Sequence, residues 1–229
     1  MEEINEDNTE EFYKKAILYW SEIPPTIDGM LGGFGHISQI DIHGSRQFLR
    51  LIFQLKEPPG KSTIVDCGAG IGRITKHLLS HIFQNIDLVE QNKMFLDQAK
   101  DYLGPGVYKK VGQLYNVGLQ DFTPENDKYD VIWCQWVLGH LTDTDLVKFL
   151  ERCRSGLKKD GIIILKENIA SSKEIEVDEK DSSVTRPFRL YIELFQKTNL
   201  HCIKNIKQNN FPKGLYTVYM FALRPKDIL

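Results

Sequence analysis

The stretch Thr63-Ile64-Val65-Asp66-Cys67-Gly68-Ala69-Gly70-Ile71-Gly72-Arg73 constrains this chain more than any other. Its first four residues are mostly β-branched and apolar, and they predict a short buried strand. The glycines follow at once, and Ile71, Ile74, Leu78 and Ile82 then recur at helical spacing. The order is therefore strand, Gly-rich turn, helix. Such a turn lets backbone approach a ligand closely, and a helix start offers free N–H groups at the positive end of its dipole. An anionic group is expected there.

A dinucleotide-binding turn reads G-x-G-x-x-G. Here Gly68, Gly70 and Gly72 read G-x-G-x-G after an acidic strand end, Asp66. This resembles motif I of the class I S-adenosylmethionine (SAM) methyltransferases, whose ligand ends in a carboxylate rather than a pyrophosphate. Arg73 would meet that carboxylate as a fork. The competing reading is an ordinary turn with a surface arginine, and three glycines in five residues weigh against it.

A chain of 229 residues suits one α/β domain with an elaboration. A net charge of −2 gives no argument for nucleic acid or an anionic membrane. No apolar run is long enough to span a bilayer, and the acidic N-terminus is unlike a secretory or transit segment. Cys67, Cys134, Cys153 and Cys202 form no C-x-x-C pair, so they are expected to be reduced, and no metal site is expected.

Residues 1–8 are expected to lack order. Phe12, Ala16, Tyr19 and Trp20 mark a helical face that Pro24 and Pro25 stop. Residues 26–37 mix glycines with apolar residues and read as a binding loop or lid, the alternative being a packed Gly-rich linker. Phe48, Leu51, Ile52 and Leu55 predict a further helix. Beyond the Gly turn, strands are expected at 85–90, 113–116, 130–136 and 161–168. Helices are expected around Phe95–Leu103 and behind a Thr142/Asp145 capping pair. Residues 170–183 are polar and acidic and read as a solvated loop, with cation recognition as the rival. A helix near 187–198 and a hairpin of two strands, 200–208 and 215–223, close the chain.

Strands alternating with helices, then a hairpin, predict an α/β fold. It is a Rossmann-like, doubly wound seven-stranded sheet with a terminal β-hairpin and an N-terminal helical extension. Residues 1–60 are assigned to the extension and covering loop and 61–229 to the core, together one compact domain. Ligands bind such sheets at the carboxyl ends of the strands. That gathers Gly68–Gly72, Glu90, Leu119, Gln120, Gln135, Trp136 and Asn168 on one edge. Glu90, about 20 residues past the Gly turn, suits ribose hydroxyls, against a plain strand-end charge. Gln135 closes an apolar strand, where either a ligand or backbone would satisfy it. Trp136 is either core or site. His140, beside the same edge, is either structural or a proton acceptor.

Residues 20–37 (WSEIPPTIDGMLGGFGHI) resemble a signature of the eukaryotic protein N-terminal methyltransferases. So do residues 66–75, 118–124, 129–142 and 181–184, and the similarity runs over nearly the whole chain. The departures are conservative: Glu90 where the family often has Asp, Phe34 for Tyr, and Lys166-Glu167-Asn168 for Lys-Asp-Asn. The resemblance implies SAM-dependent methylation of the free α-amine of proteins beginning Xaa-Pro-Lys or Xaa-Pro-Arg, with S-adenosylhomocysteine as product. It implies cofactor contacts from Gly68, Gly70, Arg73, Glu90, Gln91, Asn92, Leu119, Gln120 and Gln135. Catalytic roles fall to His140, assisted by Asp181. Substrate contacts fall to Trp20, Leu31, Gly32, Ile37, Trp136, Asn168, Asp178, Asp181, Ser183 and Tyr216. Partners are protein or peptide N-termini, not nucleic acid or membrane; a monomer in nucleus and cytoplasm is expected. The rivals are a small-molecule SAM methyltransferase, which needs no acidic cleft, and a non-catalytic nucleoside-binding adaptor, which needs no His140. Methylation of DNA amines is disfavoured, because no Asn-Pro-Pro-aromatic motif follows the fourth strand.

Overall fold

The computed structural model describes residues 6–226. Helix α1 (Glu6–Glu22) begins inside the stretch expected to lack order; residues 1–5 of that expectation lie outside the described residues. Tyr13 ties α1 down by donating to Asp145 Oδ2 (2.7 Å), and Ser182 Oγ donates to the Phe12 carbonyl (2.9 Å). The covering loop is folded: a single turn α2 (Ile27–Met30), left-handed Gly32 and Gly33, then a 3-10 turn at Gly35–Ile37. Helix α3 (Ser38–Ile52) starts well before the apolar series that announces it. Its first turns bury Ser38, Asp41 and Ser45, which an apolar pattern cannot register.

Strand β1 (Thr63–Cys67) runs into the Gly turn. The continuous helix expected after it is not formed. Helix α4 (Arg73–His77) is one turn, Leu78 breaks it, and a 3-10 turn at Leu79–His81 follows. Ile71, Ile74 and Leu78 are nonetheless buried, so the spacing reported burial, which two successive turns satisfy as well as one helix. Then come β2 (Asn85–Val89), α5 (Lys93–Tyr108, kinked at Gly104 ahead of Pro105), β3 (Val111–Tyr115) and β4 (Tyr129–Gln135). A 3-10 turn at Leu138–His140 precedes α6 (Asp143–Gly156). Thr142 caps α6 as expected, with Oγ1 accepting from Asp145 N at 3.1 Å.

Strand β5 (Leu157–Ile169) leads into the acidic segment. That segment is not simply a solvated loop: β6 (Glu176–Asp178) pairs antiparallel with β7 (Ser183–Thr185). Helix α7 (Phe188–Gln196), β8 (Leu200–Lys207) and β9 (Thr217–Pro225) complete the chain. The main sheet has the order β3-β2-β1-β4-β5-β9-β8, with β9 antiparallel to β5 and β8. Alternate residues feed two cores. Val65, Ile132 and Ile163 face α6 and α7; Ile64, Val131 and Ile164 pack with α3 and α4 on the other side. The strand order reverses between β1 and β4, which opens a crevice at their carboxyl ends.

Candidate active site

A cleft of about 870 Å³, its open mouth included, lies at that crevice. Of the residues expected to hold the cofactor, Gly68, Gly70, Arg73, Glu90, Gln91, Leu119, Gln120 and Gln135 line it. Asn92 does not: its side chain caps α5 by accepting from Met94 N, and its Nδ2 donates to the Trp20 carbonyl. Trp20, Trp136 and His140 line the same cleft, which therefore joins the expected cofactor and substrate halves.

The first N–H groups of the Gly turn are already spent within the protein. Gly68 N and Ala69 N donate to the Val89 carbonyl, and Gly70 N donates to Glu90 Oε2 (2.9 Å). The anion at this turn is the protein's own. Glu90 Oε1 also accepts from Asn92 N (2.9 Å), so the carboxylate is braced on both sides while it borders the cleft. Burial raises its pKa against those donors. Asp66 plays no direct part in the wall: it accepts from Thr75 Oγ1 (2.7 Å), and burial lifts its pKa to about 6. Arg73 is buried, with Nη1 bonded to Asp41 Oδ2 (2.7 Å) and Ser38 Oγ (3.3 Å). It is therefore a braced, buried guanidinium and not the surface arginine of the competing reading.

Trp136 carries a left-handed φ of 52°, a strained conformation for a bulky residue. Its backbone N donates to the Lys166 carbonyl (3.0 Å). Downstream, Glu167 Oε1 takes the N–H groups of Val137 (3.0 Å) and Leu138 (2.9 Å). Arg186 donates to the carbonyls of Leu138 and Leu141 and pairs with Asp143. One buried carboxylate and one buried guanidinium thus grip the turn that carries His140. Burial lifts the Glu167 pKa to about 7, against those N–H groups and Arg186.

His140 Nε2 faces Trp20 Nε1 at 2.9 Å, and Nδ1 faces the Ser182 carbonyl at 3.2 Å. An indole only donates and a carbonyl only accepts, so Nδ1 carries the proton and Nε2 the lone pair. Burial lowers the His140 pKa; Asp181, the Ser182 carbonyl and Asp178 pull the other way. The ring is therefore a neutral base whose lone pair Trp20 covers.

The remaining expected substrate residues lie outside the cleft wall. Leu31 and Ile37 are buried within the covering loop and Gly32 is exposed. Asn168 is half-buried on β5, opposite Val218. Asp178 and Ser183 face each other across the β6–β7 pair. Asp181 Oδ1 is buried with no hydrogen-bond partner among the described residues. Tyr216 is exposed and donates to Glu176 Oε2 (2.7 Å), one of the acids of the segment read as a solvated loop.

The sequence reading missed Met30 and Phe95 on the wall, and Asp41, Lys166, Glu167 and Arg186 behind it. Lys166 and Glu167 did carry a signal, as charges closing an otherwise apolar strand; nothing local marks Arg186 or Asp41. The cleft's chemistry fits SAM. Gln135 lines it, and its Oε1 is a buried acceptor without a partner among the described residues. At Gly70 a Cβ would come 2.5 Å from Met30 Sδ, so the glycine lets the covering loop's Met30 pack against the turn.

The family model described as AdoMet dependent proline di-methyltransferase matches residues 8–224. A human protein named N-terminal Xaa-Pro-Lys N-methyltransferase 1 is 50% identical over 225 residues, 97% of this chain and 99% of that protein. A Drosophila melanogaster protein named Alpha N-terminal protein methyltransferase 1 is 52% identical over 217 residues, 94% and 77% of the two chains. A solved SAM-dependent methyltransferase from Leishmania major aligns with a TM-score of 0.87 at 38% identity, covering 93% of this chain and 83% of its own. The family match takes in every wall of the cleft, and the chain belongs to the S-adenosylmethionine-dependent proline di-methyltransferases.

Proposed function

We propose that this chain transfers methyl groups from SAM to the free α-amino group of proteins whose N-terminus reads Xaa-Pro-Lys or Xaa-Pro-Arg. The observation that carries this reading is His140, a neutral imidazole of fixed tautomer on the same wall as Arg73, Glu90 and Gln135. Bound SAM supplies an electrophilic methyl on a sulfonium. The residues here position the partners and manage one proton. Arg73 and Gln135 hold the amino-acid end of the cofactor, Glu90 the ribose, and Leu119 and Gln120 the adenine side.

An α-amine has a pKa of about 7.7–8.0, so a weak base suffices. His140 Nε2 receives the amine's proton once Trp20 Nε1 turns away from it. Trp136 packs on the second-residue proline and Asn168 bonds the first residue's backbone. Asp178 and Asp181 take the cation of the third residue, and the unpartnered Asp181 Oδ1 supports that role. A small-molecule methyltransferase would share the cofactor wall but has no use for these acids. The test is mass spectrometry of Xaa-Pro-Lys peptides with SAM. Free N-termini should gain methyl mass and acetylated ones none; transfer to acetylated peptides would sink the reading.

A further inference from the structure

Asp41, on α3, is fully buried and is not part of the cleft wall. Its carboxylate nevertheless holds two residues that are. Oδ2 accepts from Arg73 Nη1 (2.7 Å) and Oδ1 from Gln135 Nε2 (2.8 Å). Lys166 Nζ also donates to Oδ1, and its other bonds run to the Asp41 carbonyl (3.1 Å), Ser45 Oγ (2.9 Å) and Gln208 Oε1 (2.9 Å). Arg73 and Lys166, two buried cations, thus converge on one carboxylate.

The consequence lies in the Gln135 amide. A carboxylate can only accept, so the NH2 group of Gln135 must face Asp41 and its oxygen must face away. That oxygen is the buried Oε1 that lacks a partner among the described residues. Gln135 and Arg73, both residues of the cleft wall, thus share one brace, the first with its acceptor oxygen turned away from Asp41. These are the complements of an ammonium and a carboxylate borne on one carbon.

We propose that Asp41 is a positioning residue for the amino-acid end of the cofactor. It locks the Gln135 amide with its oxygen toward the ligand's ammonium and holds Arg73 beside it for the carboxylate. The proposal rests on the reading of the cleft as the SAM site. It gives the N-terminal region a part in cofactor recognition, through a residue that touches no ligand. An Asn at position 41 can offer its own NH2 to Gln135, which frees the amide to flip and withdraws the acceptor.

The test is calorimetry with two probes. S-adenosylhomocysteine carries the amino-acid end; 5′-methylthioadenosine shares the nucleoside and thioether but lacks it. Asp41→Asn should weaken S-adenosylhomocysteine about ten- to hundred-fold, as expected for losing charge-assisted contacts. It should leave methylthioadenosine within about threefold. The double variant Asp41→Asn/Lys166→Met removes the ammonium together with its counter-ion, so no ammonium is left stranded in the core. It should fold by circular dichroism and show the same selective loss. Equal weakening of both probes would overturn the proposal, because that is general damage to the site. A double variant with the wild-type preference would also overturn it, leaving Asp41 a counter-ion for Lys166. If wild type bound neither probe, the cofactor reading itself would fall, and the proposal with it.

Discussion

His140 is left a single chemical role by its neighbours. With Nδ1–H spent on Ser182, the only place for a proton from substrate is Nε2, where Trp20 now sits. His140→Ala should lower single-turnover methyl transfer by about 10²–10⁴-fold, toward the low end because the α-amine loses its proton readily. S-adenosylhomocysteine affinity should change far less. The variant's rate should recover partly from about pH 7 to 9 as solution supplies neutral amine. A wild-type rate across that range would reduce His140 to a packing partner of Trp20. Glu167 makes a second residue-scale prediction. Its folded pKa, about 7, stands above its ordinary 4.5 because of burial. A raised carboxylate pKa contributes stability that is full below about 4.5 and is lost as pH rises through 7. Glu167→Gln removes that dependence while its amide oxygen can still accept from Val137 and Leu138. Relative to wild type, the variant should gain up to about 3 kcal/mol between low pH and pH 8. Denaturant melts at several pH values would show it; a pH-independent difference would contradict it.

At the scale of elements, the Gly turn is built by contact as well as by conformation. Gly68 has φ 72°, and a Cβ there would lie 2.5 Å from Val137 Cγ2, next to Trp136. Gly68→Ala should cost about 1–2 kcal/mol in left-handed strain, plus displacement of the Val137 segment. Gly32 is the control, with φ 57° and nothing among the described residues within 4 Å of its Cβ position, so Gly32→Ala meets the strain alone. Thermal melts should rank Gly68→Ala below Gly32→Ala, and only the former should lose S-adenosylhomocysteine affinity. Equal behaviour would mean that the turn's packing on Val137 is unimportant. The same turn shows how far local patterning reaches. The residues at 63–73 announced the strand and the left-handed turn correctly, because those depend on β-branching and on φ. They did not announce that Glu90 occupies the N–H of Gly70, or that Leu78 breaks the helix.

Across the whole molecule, the substrate side draws on distant parts of the chain. Burial raises the pKa of Tyr19 on α1, and Asp181 and Asp178 near the β6–β7 hairpin raise it further; those same acids act on His140. Three segments thus share one field, although the chain's net charge is only −2. Peptides with Lys third should be preferred over Glu third by about ten- to hundred-fold. Asp178→Asn/Asp181→Asn should erase most of that ratio in competition assays; an unchanged ratio would place the third residue elsewhere. The sequence alone determined the class of sheet, the Gly turn, the Thr142 cap and most residues of the cleft wall. The first three rest on local periodicity, backbone freedom or a short motif, and the wall residues Trp20 and Gln91 on the family resemblance. Only the tertiary structure decided what each polar group does. Trp20 and His140 are 120 residues apart, and Asp41 and Gln135 are 94. A hydrogen bond's donor, acceptor and tautomer are set by whichever atom lies about 3 Å away, and no spacing along the chain encodes that neighbour.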